Sequence, residues 1–102
     1  MICTVYFTAS DENEAIKIGE ILIKEKLAAC VNIFPIKSIF RWKGKVEKNN
    51  EVGVFVKTQE KLFDKIVERI RELHSYELPA IEKINVKSYR LIEKWVREST
   101  TR

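Results

Sequence analysis

Two extended runs in this sequence are too long for the chain that carries them. Residues 28–42 read AACVNIFPIKSIFRW and residues 46–57 read VEKNNEVGVFVK, and Trp42-Lys43-Gly44-Lys45 between them supplies a turn. The first run alone would span roughly 50 Å at strand geometry. A compact chain of 102 residues measures roughly 33 Å across. Either the strand bends at Pro35, which cannot donate to a ladder and marks a bulge, a bend or an exposed edge, or the hairpin overhangs the body. An overhang carrying Ile36, Ile39, Phe40 and Trp42 bares apolar surface and unpaired backbone. A second copy of the same chain is the simplest cover.

The flanking segments complete the pattern. Residues 2–8 (ICTVYFT) are β-branched and aromatic and read as a strand. Asp11 with Glu14 has the form of a helix N-cap, followed by an apolar stripe of Ala15, Ile18, Gly19, Leu22 and Ile23. Thr58 is placed as the cap of a second helix that turns Leu62, Phe63, Ile66, Val67, Ile70 and Leu73 inward and ends before Pro79. Residues 80–86 read as a fourth strand. Ser88 is placed as the cap of a last helix with Leu91, Ile92, Trp95 and Val96 as its apolar positions. The order predicts an α+β fold, a ferredoxin-like βαββαβ antiparallel sheet with an added C-terminal helix, forming one domain over residues 1–102. In that topology strand 1 lies between strands 3 and 4. Two helices cover only one sheet face, and Val31, Ile33 and Phe55 are expected on the other, apolar where a solvated face is polar.

Composition removes several functions. The net charge of +4 is mild, and its densest basic cluster, Arg41, Lys43, Lys45 and Lys48, alternates along a strand as a solvated edge does, so no nucleic-acid partner is expected. No apolar run reaches the ~18–20 residues of a membrane span. The N-terminus lacks the basic start and cleavage site of a signal peptide, so a cytoplasmic protein with no membrane partner is expected. The two cysteines, Cys3 and Cys30, have no metal-site spacing and are expected to be small core residues. The three glycines are isolated, so no phosphate loop exists, and the single histidine leaves no nucleophilic triad. The chain is not expected to be an enzyme.

The sequence runs Cys30-Val31-Asn32-Ile33, then Ser38-Ile39-Phe40-Arg41-Trp42-Lys43-Gly44-Lys45-Val46, Glu51, Lys57-Thr58 and His74-Ser75-Tyr76-Glu77-Leu78-Pro79. In order and spacing these segments resemble the CutA family of divalent-cation tolerance proteins over essentially the whole chain. The resemblance implies a ferredoxin-like protomer in a tight homotrimer, similar in architecture to the PII signalling proteins. It also implies a response to metal ions, with copper or another divalent cation as the bound ion and no cofactor required for folding. Ser75 replaces the proline of the family's usual His-Pro-Tyr-Glu. Phe7 and Leu73 stand where some relatives carry a cysteine and a histidine offered as copper ligands, so only His74 carries over as a metal ligand, with Glu77 as a nearby oxygen donor.

His74 has a second reading, as the residue that closes the second helix or makes a structural hydrogen bond. Trp42, Glu51, Lys57 and Tyr76 are grouped by the family motif. They read either as a cleft between subunits that takes a small ligand, the alternative of a PII-like sensor, or as a polar network holding the trimer.

Overall fold

The computed structural model describes residues 1–101. Its elements are β1 (Ile2–Ala9), α1 (Glu12–Lys24), β2 (Cys30–Trp42), β3 (Lys45–Gln59), α2 (Phe63–Leu73), β4 (Ile81–Asn85) and α3 (Arg90–Ser99), with a 3-10 turn at Glu60–Leu62 before α2. The four strands form one antiparallel sheet in the order β2-β3-β1-β4. This is the expected ferredoxin-like topology with α3 added. Cys3 on β1 and Cys30 on β2 are thus on non-neighbouring strands, and both are free thiols.

The hairpin overhangs and does not bend. Pairing between β2 and β3 runs unbroken from Cys30 opposite Lys57 to Trp42 opposite Lys45, and it passes Pro35 opposite Val52 without a bulge. Pro35 is tolerated because β2 is a sheet edge. Lys43 and Gly44 close the hairpin with φ of 51° and 79°, the positive values a two-residue turn of the I′ kind requires. β1 pairs with β3 only from residue 52 onward. Residues 36–42 and 45–51 therefore pair only with each other, and the molecule extends 44 Å along one axis against 24 and 21 Å along the others. On that overhang Ile39 is 71% exposed and Val46 61%.

Strand alternation divides the core from the uncovered face. Cys3, Val5, Phe7 and Ala9 of β1 and Val54 and Val56 of β3 meet Ala15, Ile18 and Leu22 of α1 and Ile66 and Ile70 of α2, all buried. Val31 and Ile33 belong to this side, which corrects the expectation that grouped them with Phe55. They lie directly opposite Val56 and Val54, and a Cβ at Gly19 of α1 would stand 3.0 Å from Val31 Cγ1. The opposite face carries Tyr6, Phe34 and Phe55, whose rings cluster at centroid separations of 4.9 to 6.4 Å. Gly53 makes room there, since a Cβ would fall 2.7 Å from the Phe34 ring. α3 covers one end of this face: Val96 is buried, and Gln59 Nε2 donates to Thr100 Oγ1 at 2.9 Å. Phe55, farther along, remains 39% exposed.

Asp11 caps α1 as expected, its carboxylate accepting from the Glu14 N–H at 2.8 Å. The other two caps are corrected. Thr58 is buried inside β3, and its hydroxyl donates to the Leu27 carbonyl at 2.7 Å, because the strand continues to Gln59 and a 3-10 turn intervenes before α2. Tyr89 occupies the cap position of α3, while the Ser88 N–H donates back to Glu93 Oε2 at 3.4 Å. Cys30 is also corrected from core to half-buried, its thiol 3.8 Å from Asn32 Oδ1 at the start of an edge strand. Thr58→Val keeps the shape of the side chain but leaves the Leu27 carbonyl without this donor. Unfolding in urea at neutral pH is expected to show a loss of ~1–3 kcal/mol, and an unchanged midpoint would refute a structural role for that hydroxyl.

Candidate functional site

α2 stops at His74 because the chain turns extended there, with φ −80° and ψ 145°. The His74 side chain is fully buried, with Phe7 edge-on at 6.2 Å and Tyr76 at 4.7 Å between ring centroids. Both ring nitrogens are used. Nε2 donates to the Thr8 carbonyl at 2.7 Å, and Nδ1 accepts the Tyr76 N–H at 3.0 Å. A carbonyl needs a donor and an N–H needs an acceptor, so the network selects the neutral Nε2–H tautomer.

Glu14 ties this turn to the start of α1. Its Oε1 accepts the Ser10 N–H at 2.9 Å and the Ser10 hydroxyl at 3.0 Å, and its Oε2 accepts the Ser75 N–H at 2.8 Å. Burial works to raise its pKa, but the hydrogen bonds from Ser10 and Ser75 outweigh it and bring the carboxyl down to about 2. The reach of Glu14 back to Ser10 is a capping-box contact displaced by one residue from the cap itself.

Tyr76 then reaches the hairpin. Its hydroxyl donates to Glu51 Oε2 at 2.5 Å, and burial, with Glu51 beside it, pushes the phenol pKa up. Glu51 is only 8% exposed, so this bond satisfies a carboxylate that would otherwise be buried alone. Above it a cavity of about 430 Å³ opens between the overhanging hairpin and the segment after α2, lined by Phe40, Trp42, Glu47, Asn49, Tyr76 and Glu77.

Within one protomer Tyr76 meets Glu51 and borders the same cavity as Trp42, while Trp42 itself, paired with Lys45, lies six positions from Glu51 along the hairpin. Lys57 stands apart, six positions beyond Glu51 on β3 and so roughly 20 Å away, with its ammonium 3.1 Å from Asn32 Oδ1. The sequence marks Phe40 only as apolar surface on the overhang and gives Glu47 and Asn49 no role, although the alternation of the hairpin places all three on the Trp42 face. Glu14 was legible only as a capping residue, because its bond to Ser75 crosses the fold.

The pair read as metal donors does not fit copper. His74 has no free lone pair, and no group of three or more His, Cys, Asp or Glu side chains converges among the described residues. Copper calls for several nitrogen or sulfur ligands in a fixed geometry. Phe7, at one position where relatives offer a ligand, is fully buried core. Leu73, at the other, packs against that core.

The chain matches the CutA1 divalent ion tolerance protein family over residues 3–99. It belongs to that family. The divalent-cation tolerance protein CutA of Pyrococcus horikoshii is 41% identical over 97 residues, which cover 94% of this chain and 95% of the relative. The solved structure described as the periplasmic divalent cation tolerance protein CutA from Archaeoglobus fulgidus superposes with a TM-score of 0.97 at 38% identity, covering 99% of this chain and 100% of the other. The divalent cation tolerance protein of Thermus thermophilus gives a TM-score of 0.95 at 39% identity, with 99% and 100% covered. The relatives are divalent-cation tolerance proteins by name.

Proposed function

We propose that this chain acts in divalent-cation tolerance as a homotrimer, and that His74 serves the architecture of the protomer. The observation that carries the assembly is the hairpin. Residues 36–42 and 45–51 find no third strand in their own protomer, and the aromatic face of the sheet lies uncovered beyond α3. The two free edges, β2 and β4, differ from one another, which favours a head-to-tail ring over a two-fold dimer. Divalent-cation tolerance comes from the family to which the chain belongs. Copper is the ion implied by the resemblance, and no step is assigned to it because the donors present do not make a copper site. Free Cys3 and Cys30 suit a reducing compartment, and the cytoplasm is the setting we propose.

Light scattering on dilute protein, with and without copper, tests this reading. A particle of three chain masses is expected in both conditions, and a folded single protomer would overturn it. Calorimetry is expected to show equal copper uptake by wild type and His74→Ala, since His74 spends both nitrogens inside the fold; uptake lost in the variant would return His74 to the ligand set.

A second reading is favoured by the cavity beside Trp42 and Tyr76: a sensor of a small molecule, in the manner of PII proteins. A space of about 430 Å³ bordered by Trp42 and by a Tyr76 that Glu51 holds in place is of the size a small ligand needs.

A further inference from the structure

We propose that Glu51 of one copy pairs with Lys57 of the next, so that the Tyr76–Glu51 site is completed by a residue from a neighbouring chain. The inference rests on the homotrimer proposed above and adds which charges its interface matches.

Glu51 is a charge without a counter-charge. It is 8% exposed in the protomer, and its hydrogen bond comes from the Tyr76 hydroxyl at 2.5 Å. That bond supplies a donor but no positive charge, and no ion pair reaches Glu51 among the described residues. Strand alternation puts Glu51 on the uncovered face, for it lies opposite Ile36 as Gly53 lies opposite Phe34 and Phe55 opposite Asn32. A neighbouring copy seated on that face removes the water that remains. A carboxylate so buried requires a cation or a proton.

Lys57 is the converse. It shares the face, two positions beyond Phe55, and it is half-buried. Its ammonium meets the neutral Asn32 amide oxygen at 3.1 Å, and no carboxylate pairs with it among the described residues. The other basic residues of β2 and β3, Lys37, Arg41, Lys45 and Lys48, are all exposed and can keep their water. Lys57 cannot turn to Glu51 of its own chain, since six positions of strand hold the two roughly 20 Å apart.

The uncovered face therefore has an apolar centre of Tyr6, Phe34 and Phe55 with an unmatched charge at each end. The carboxylate lies towards the overhang. The ammonium lies towards the end where Gln59 meets Thr100 of α3. Three sheets closing head to tail bring the overhang end of each against the opposite end of the next. One contact, repeated by the symmetry, then pairs every such charge.

The test is a double-mutant cycle on the full chain with Glu51→Gln, Lys57→Met and both together. Gln keeps an acceptor for the Tyr76 hydroxyl, and Met keeps most of the lysine stem. Sedimentation in rising guanidinium chloride, at one protein concentration, reads the midpoint at which assembly is lost, and circular dichroism checks the fold. A buried pair is little screened by the salt. Each single variant is expected to come apart at a midpoint lower by on the order of 1 M, because it strands a buried charge. The double variant is expected to lose no more than either single. Two residues this far apart on one strand do not couple within a protomer, so non-additive losses place the contact between copies. If the losses add, or if either single holds together as wild type does, the pair is refuted while the homotrimer stands. If wild type itself sediments as a folded single protomer, the inference and the reading beneath it fall together.

Discussion

Phe55→Asp is expected to release single protomers at concentrations where the wild-type chain remains assembled. Phe55 stands at the centre of the uncovered aromatic face, 4.9 Å from Phe34 and 5.5 Å from Tyr6 between ring centroids. Within one protomer it is 39% exposed, so a carboxylate there can reach water and the protomer can still fold. Once a neighbouring copy covers this face, the same carboxylate is buried with no cation beside it. An unpaired charge in such a place costs at least ~3 kcal/mol, which lowers an association constant by more than about a hundredfold. Size-exclusion chromatography with light scattering reads the result directly, and circular dichroism checks that the released protomer is folded. Phe55→Leu, which keeps the face apolar, is expected to remain assembled. If Phe55→Asp assembles as tightly as wild type, this face is not the interface.

The second large effect is a dependence of stability on acid that traces to Glu14. Its folded pKa of about 2 lies below the ordinary 4.5. Its contribution is therefore complete above the unfolded value and is lost as pH falls from there towards the folded one. A shift of this size corresponds to about 3 kcal/mol, and the Glu14 side chain is shielded enough, at 14% exposure, for most of it to be felt. Glu14→Gln removes the charge and presents an amide N–H₂ to donors it cannot satisfy, so the bond to Ser10 or the bond to Ser75 fails. Urea unfolding from pH 7 to pH 2, at matched protein concentration, is expected to show wild type well above the variant at neutral pH. The gap should shrink through the window from about 4.5 to about 2. A gap independent of pH would mean that Glu14 acts through packing and not through charge.

The same residue shows where sequence reading stops. Ser10, Asp11 and Glu14 are close in the chain, and their capping role follows from spacing alone. The Ser75 N–H that completes the Glu14 site comes from the far end of α2, and no local pattern announces it. His74 is the sharper case. As the only histidine in a metal-tolerance motif it reads either as a ligand or, more readily, as a helix-closing residue or a structural hydrogen-bond partner. The choice rests on the Thr8 carbonyl and the Tyr76 N–H, which occupy its two nitrogens.

The caps of α2 and α3 went astray for a related reason. Thr58 and Ser88 have good capping chemistry, but tertiary contacts assign them elsewhere. β1 pairs along β3 as far as Gln59 and draws Thr58 into the sheet, where its hydroxyl finds Leu27. Helix boundaries yield readily in this way, because one capping bond contributes only about 1 kcal/mol while each added ladder pair buries backbone and side chain together.

Taken alone, the amino-acid sequence determined the element order, the ferredoxin-like topology, the turn at Lys43 and Gly44 and a hairpin that had either to bend at Pro35 or to overhang the body. All of these follow from short-range periodicity, turn chemistry and the plain length of two strands. The tertiary structure alone decided that the hairpin overhangs without bending at Pro35, that Val31 and Ile33 face the helices while Phe55 does not, that Lys57 lies away from Glu51 and Tyr76 within one protomer, and that His74 is spent inside the fold. Those outcomes depend on cross-strand register and on partners distant in the chain, and a one-residue change of register exchanges the two faces of a strand.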